Sequence, residues 1–228
     1  MIKPLICQTA LFDLDGTLVD TSQDLWRTLN HVLHLHHRPT LTHAQVRNLV
    51  GHGARALIAR GFWGETALPP ENDPEFEHAV QTFLAYYRDH LTDYSLPFPG
   101  VEQTLTTLRN RGIQLAVVTN KPQEMTLPLL ENLNLAHFFS IIIGGNTLEK
   151  RKPDPLPIQH ILTQLHTPSS LGVMIGDSET DALAARAAGT PLVLVSYGYN
   201  RNIPVLTLQP DHIIDCFCEL ESLLFASH

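Results

Sequence analysis

Apolar residues fall into two patterns along this chain. Residues 5–11 form a short, nearly unbroken apolar run, and residues 114–120, 139–145, 171–177 and 191–198 repeat its character. Continuous apolar stretches of this length, ending in polar or glycine-containing turns, predict buried strands. Residues 212–217 predict a further short edge strand. Between these runs, residues 101–111, 123–132, 156–165 and 181–188 carry apolar positions at helical spacing. Apolar strands alternating with helices predict an α/β fold, with a parallel sheet covered on both faces.

Residues 21–96 break the alternation. They hold three long helical patterns, at 22–36, 42–60 and 74–90, and close on the breaker cluster Pro97-Phe98-Pro99-Gly100. The predicted organisation is a Rossmann-like α/β core made of residues 1–20 and 97–228, with a helical cap of residues 21–96 inserted after the first strand.

Composition narrows the class. The chain has 228 residues, 43% of them hydrophobic, which is enough for a substantial core. A formal net charge of −8 argues against a nucleic-acid binder. It also means that an anionic ligand would need locally concentrated cations. No apolar run reaches the ~18 residues of a membrane span. The short apolar N-terminus is interrupted by Lys3 and Pro4 and does not read as a cleaved leader. Cys7, Cys216 and Cys218 form no disulfide framework, so they predict reduced, structural thiols and a cytoplasmic protein. Cys216 and Cys218 would share one face of the last strand. His31, His34, His36 and His37 read as a polar helix face ending near Arg38-Pro39 rather than as a metal site.

Chemistry concentrates at the strand ends. Asp13 and Asp15 lie two residues apart where the first strand runs out, followed by Gly16. Strand periodicity starts them toward one side. Carboxylates this close call for a cation or a shared proton. Thr119 and Asp177 fall at the ends of two other predicted strands. Parallel sheets of this kind collect ligands at their carboxyl edge.

The run Leu11 to Asp20 resembles the first motif of the haloacid dehalogenase superfamily of phosphatases. That resemblance implies that Asp13 is a nucleophile forming an aspartyl-phosphate and that Asp15 is the general acid/base. Members that cleave carbon–halogen bonds lack the second Asp, so dehalogenation is not expected. Val117 to Pro122 resembles the second motif, implying that the Thr119 hydroxyl and the Asn120 backbone N–H bind phosphate oxygens. Lys150 to Pro155 resembles the third, in which the Lys before Pro, here Lys152, contacts nucleophile and phosphate. Gly176 to Asp181 resembles the fourth. It implies a Mg²⁺ site made of the Asp13 and Asp177 carboxylates and the Asp15 carbonyl, with Asp181 orienting Lys152 or a metal-bound water.

Val50 to Ala54, with Leu57 and Arg60, resembles the cap signature of phosphoglycolate phosphatases. Gly51, His52, Gly53 and Arg60 are the implied readers of a substrate carboxylate, with Arg55 a further candidate. Asn146 stands where that family often has Asp. The predicted activity is Mg²⁺-dependent hydrolysis of a small phosphorylated metabolite, 2-phosphoglycolate first, by a monomer or homodimer. A related phosphatase acting on a sugar phosphate or other small phosphomonoester is the alternative. A non-catalytic binding module on the same fold is the alternative from another class. Gly176, where related mutases carry Glu, argues against phosphomutase activity.

Overall fold

In the computed structural model, which describes residues 4–200 and 203–226, the first apolar run is two strands. Strand β1 (Leu5–Cys7) and strand β2 (Thr9–Phe12) were expected as one. They part at Gln8, whose N–H donates to Leu171 and whose carbonyl accepts from Gln114. Strand β3 (Val19–Asp20) follows the Asp13–Asp15 turn. Next come helices α1 (Ser22–Leu35), α2 (His43–Arg47), α3 (Ala54–Trp63) and α4 (Pro74–Asp89). Strand β4 (Leu96–Pro97) brings the chain back. It pairs antiparallel with β3, so the helical insert enters and leaves side by side.

The expected helix over residues 42–60 is two helices. Thr42 starts α2 with a reciprocal capping box with Gln45. The chain then bends through Gly51 (φ 119°) and Gly53 (φ 84°) before α3 begins. Backbone with these positive φ values cannot continue a right-handed helix, and side-chain-bearing residues rarely adopt it. Asp73 caps α4, with Pro74 at its first position. Asp24 anchors the insert: it accepts from the Tyr94 and Ser95 N–H groups and the Ser95 hydroxyl, tying α1 to the return segment.

The rest of the chain alternates as predicted: α5 (Val101–Asn110), β5 (Gln114–Val118), α6 (Gln123–Asn132), β6 (Ile141–Ile143), α7 (Leu156–Gln164), β7 (Gly172–Gly176), α8 (Glu179–Ala188), β8 (Leu192–Val195) and β9 (His212–Ile214). Six strands form a parallel sheet in the order β6-β5-β2-β7-β8-β9. After the short helix α9 (Leu220–Leu223), strand β10 (Leu224–Ala226) pairs with β1 outside that sheet.

Side chains from alternate strand positions fill two cores. Ala10, Phe12, Val117, Val173 and Ile175 point to one, shared with α5, α6 and the insert. Leu11, Ala116, Val118 and Met174 point to the other, against α7 and α8. Burial on both faces explains why the strands read as continuous apolar runs. Each fully buried Val, Leu, Ile, Phe or Met among them contributes about 1.5–3 kcal/mol.

The cysteine expectation is corrected. Cys216 and Cys218 lie past β9, in the turn toward α9, with their Cα atoms 5.2 Å apart, and are joined by a disulfide across Phe217. That spacing is within bonding reach. Cys7 is a free, buried thiol. The thiol count therefore says nothing about a reducing compartment. Among the described residues, no helix is long and apolar enough to cross a membrane.

Candidate active site

The parallel register sets the site. Phe12 lies level with Val117 and Ile175, so the residues just beyond β2, β5 and β7 meet at one edge. The Asp13 N–H still donates to Ile175, and that of Thr119 to Ile143. Beyond those bonds the chains splay into loops carrying Asp13, Thr119 and Asp177.

Asp13 accepts from the Leu14 N–H at 2.7 Å and from the Lys152 ammonium at 3.0 Å, both on Oδ1. Oδ2 is the oxygen claimed by neither donor. Lys152 is nearly inaccessible and also donates to Asp181 Oδ1 at 2.6 Å. Burial opposes its charge, but Asp13 and Asp181 outweigh that and hold its pKa above the usual lysine value. Asp181 accepts on Oδ2 from the Asp177 and Ser178 N–H groups and from the Ser178 hydroxyl. It thus caps α8 and fixes Lys152 at once. Asp177 accepts from the Tyr199 N–H at 2.5 Å.

Asp13, Asp177 and Asp181 each bring an oxygen within 4.8 Å of the others, the one such group among the described residues. Burial, opposed by Lys152, pushes Asp13 up to about 6. Burial and its acidic neighbours push Asp177 well above the carboxylate range. A buried carboxylate cluster balanced by one ammonium suits a hard divalent cation. Both oxygens of Asp181 are already engaged, which leaves Asp13 and Asp177 as the better side-chain ligands.

Asp15 accepts from the Thr21 hydroxyl at 2.7 Å and from the Lys121 ammonium at 3.0 Å. Lys121 also donates to the Tyr87 hydroxyl of α4 at 2.5 Å. The Thr119 hydroxyl accepts from the Lys121 N–H, and the Asn120 amide donates to the Lys152 carbonyl, so the second and third motifs brace each other. A small cavity of about 50 Å³ lies between the sheet edge and the insert. Asp13, Asp15, Thr119, Asn120 and Lys121 line it from the core, and Gly51, Gly53, Phe83 and Tyr87 from the insert.

Of the expected carboxylate readers, Gly51 and Gly53 line the cavity, whereas His52, Arg55 and Arg60 do not. Arg60 is buried, donates to the Leu49 carbonyl at 2.9 Å and lies 3.4 Å from His52 Nδ1. It braces the Leu49–Gly53 turn, and neither it nor His52 is among the residues lining the cavity. Arg55 makes a two-pronged pair with Glu77. Asn146 accepts from the Gln123 N–H and donates to Glu124, holding the start of α6 behind the Thr119 loop. The histidines do not converge: His31 stacks on Tyr86, and His36 faces Glu75 and Phe62.

No sequence pattern assigns a role to Lys121, Tyr87 or Tyr199. Tyr199 joins Asp177 to the start of the insert: its hydroxyl donates to Asp20 and accepts from the Thr21 and Ser22 N–H groups. The only sequence signal for Lys121 was its place in the loop just after Thr119-Asn120.

The fold and the site together define a haloacid dehalogenase-like hydrolase. Residues 10–195 match the model of that family, and the chain belongs to it. Its relatives include phosphoglycolate phosphatases. One from Agrobacterium fabrum is 41% identical over 95% of this chain and 91% of its own length. Another, from Caulobacter vibrioides, is 43% identical over 93% and 88%. The crystal structure of a predicted phosphoglycolate phosphatase from Haemophilus somnus superposes with a TM-score of 0.88 at 34% identity, covering 95% of this chain and 97% of that one.

Proposed function

We propose that this hydrolase cleaves 2-phosphoglycolate through an aspartyl-phosphate on Asp13, with Mg²⁺ as cofactor. The observation that carries the reading is the junction of Asp13, Asp15, Lys152 and Asp177 at the sheet edge, beneath a cavity closed by the insert. Asp13 Oδ2 attacks phosphorus while Leu14 and Lys152 hold Oδ1. Asp15 gives its proton to the leaving alkoxide, then takes one from the water that opens the intermediate. The Thr119 hydroxyl and the Asn120 N–H hold phosphoryl oxygens, and Lys152 offsets their charge. The Asp13 and Asp177 carboxylates and the Asp15 carbonyl are the groups that would hold Mg²⁺. When bound, Mg²⁺ supplies positive charge against the phosphoryl group.

The substrate assignment rests on the phosphoglycolate phosphatases at about 40% identity over nearly the whole chain. A panel of small phosphomonoesters, sugar phosphates included, ranked by kcat/KM with Mg²⁺, tests it. 2-Phosphoglycolate should rank first. A sugar phosphate above it would overturn the substrate, and no turnover of any monoester would overturn the mechanism.

A further inference from the structure

The insert's half of the cavity offers little to a charged ligand. Leu25, Val50, Leu57 and Phe83 line it, with the glycine turn beside them. Two arginines of the insert are engaged elsewhere, Arg60 on the Leu49 carbonyl and Arg55 on Glu77. Among the described residues, Lys121 is the one cationic side chain in the cavity lining. Its side chain is 3% exposed. The ammonium has three N–H donors. Asp15 and the Tyr87 hydroxyl take two of them.

We propose that Lys121 is the specificity residue that binds the substrate's carboxylate, in a subsite completed by the Tyr87 hydroxyl. The proposal rests on the 2-phosphoglycolate reading above. In that substrate the carboxylate is attached to the methylene that carries the ester oxygen. The ester oxygen must reach Asp15 to be protonated, and the Lys121 ammonium lies 3.0 Å from Asp15. A carboxylate one methylene beyond the scissile bond therefore arrives beside that ammonium. An apolar surround with one ammonium and one phenol favours a compact anion over a polyhydroxylated chain, which would bury hydroxyls without partners. Tyr87 belongs to α4 and Lys121 to the core, so the subsite exists only with the insert seated over the sheet edge.

The test compares kcat/KM for 2-phosphoglycolate and for ethyl phosphate, which replaces the carboxylate by a methyl group, in the Mg²⁺-loaded enzyme. Wild type, Lys121→Met, Lys121→Arg and Arg151→Ala are measured. Arg151 is included because its guanidinium approaches Gly53. Lys121→Met should slow both substrates, since Asp15 loses its partner. The ratio between them should nevertheless fall by about tenfold or more, as expected when a built-in polar contact is lost for one substrate only. Lys121→Arg should restore part of the ratio. A Met variant keeping the wild-type ratio, or a ratio lost only in Arg151→Ala, overturns the assignment. If the Met variant melts far below wild type, Tyr87→Phe decides instead, by lowering the ratio or leaving it. A wild type with no preference for the carboxylate substrate removes the substrate reading, and this subsite with it.

Discussion

Asp181 Oδ1 lies 2.6 Å from the Lys152 ammonium, closer than Asp13 at 3.0 Å. Lys152 therefore reaches the nucleophile from a position that Asp181 dictates. Asp181→Asn keeps the capping of α8 but weakens the grip on the ammonium. The expected loss in kcat/KM is about 10–100-fold, as for other supporting residues around a charged site. Circular dichroism should stay native. Unchanged kinetics would mean that Asp181 serves α8 alone.

Asp13→Asn should abolish steady-state turnover without unfolding the protein, because an amide cannot form the acyl-phosphate. Asp15→Asn should lose roughly two to four decades in kcat, the usual worth of general acid/base catalysis. If saturating Mg²⁺ restored full kcat to the Asp15 variant, its proton-transfer role would be wrong.

Burial holds the Asp13 proton to about pH 6 in the metal-free protein, against 3.8 ordinarily. The folded state thus binds this proton more tightly than the unfolded chain does. That contribution to stability is complete below about pH 4 and is lost as pH rises through about 6. A cation ligated by Asp13 binds the deprotonated form and competes with the proton. The gain in Tm on adding Mg²⁺ should therefore be small near pH 5 and grow toward pH 7.5. A gain independent of pH across that range would argue against Asp13 as a ligand.

Gly198 packs directly on Asp177. A Cβ there would lie 2.2 Å from the Asp177 Cβ and 2.5 Å from its Oδ2, so the carboxylate must move. Gly198→Ala should weaken apparent Mg²⁺ affinity about 10–100-fold, the range for disturbed support of a ligand. A Mg²⁺ titration of activity, read beside a melting curve, separates this from general destabilisation.

Arg60→Ala leaves the buried Leu49 carbonyl without its donor, at a cost of about 1–3 kcal/mol. It should lower stability and reduce kcat/KM by similar factors on 2-phosphoglycolate and ethyl phosphate. A loss confined to 2-phosphoglycolate would return Arg60 to the carboxylate-reading role its sequence motif suggested.

Much of this was legible in the sequence because strand ends carry the chemistry. Asp13, Thr119, Lys152 and Asp177 each follow a pattern that fixes both an element and its place in the order. The insert was less legible. A helical period over residues 42–60 hides a break that depends on the backbone angles of Gly51 and Gly53. Arg60 looks like a ligand on a helix face and becomes a brace only once that turn folds back onto it. The contacts of Lys121 with Tyr87, and of Tyr199 with Asp20, join residues far apart in the chain that no local pattern links. The disulfide between Cys216 and Cys218 likewise depends on the turn after β9 rather than on spacing in a strand.

The pairing of Val19–Asp20 with Leu96–Pro97 has a further consequence. Everything between those two pairs enters and leaves the core through one doorway in the chain, like the tip of an overgrown hairpin. The distance its ends must span is fixed by the ladder and not by its contents, and closure entropy grows only slowly with loop length. Such an appendage can be grafted, shortened or exchanged while the six parallel strands keep their register. The Tyr87 half of the carboxylate subsite can then drift on the part that is easily swapped, while Lys121 and the phosphoryl-transfer residues stay on the part that is not.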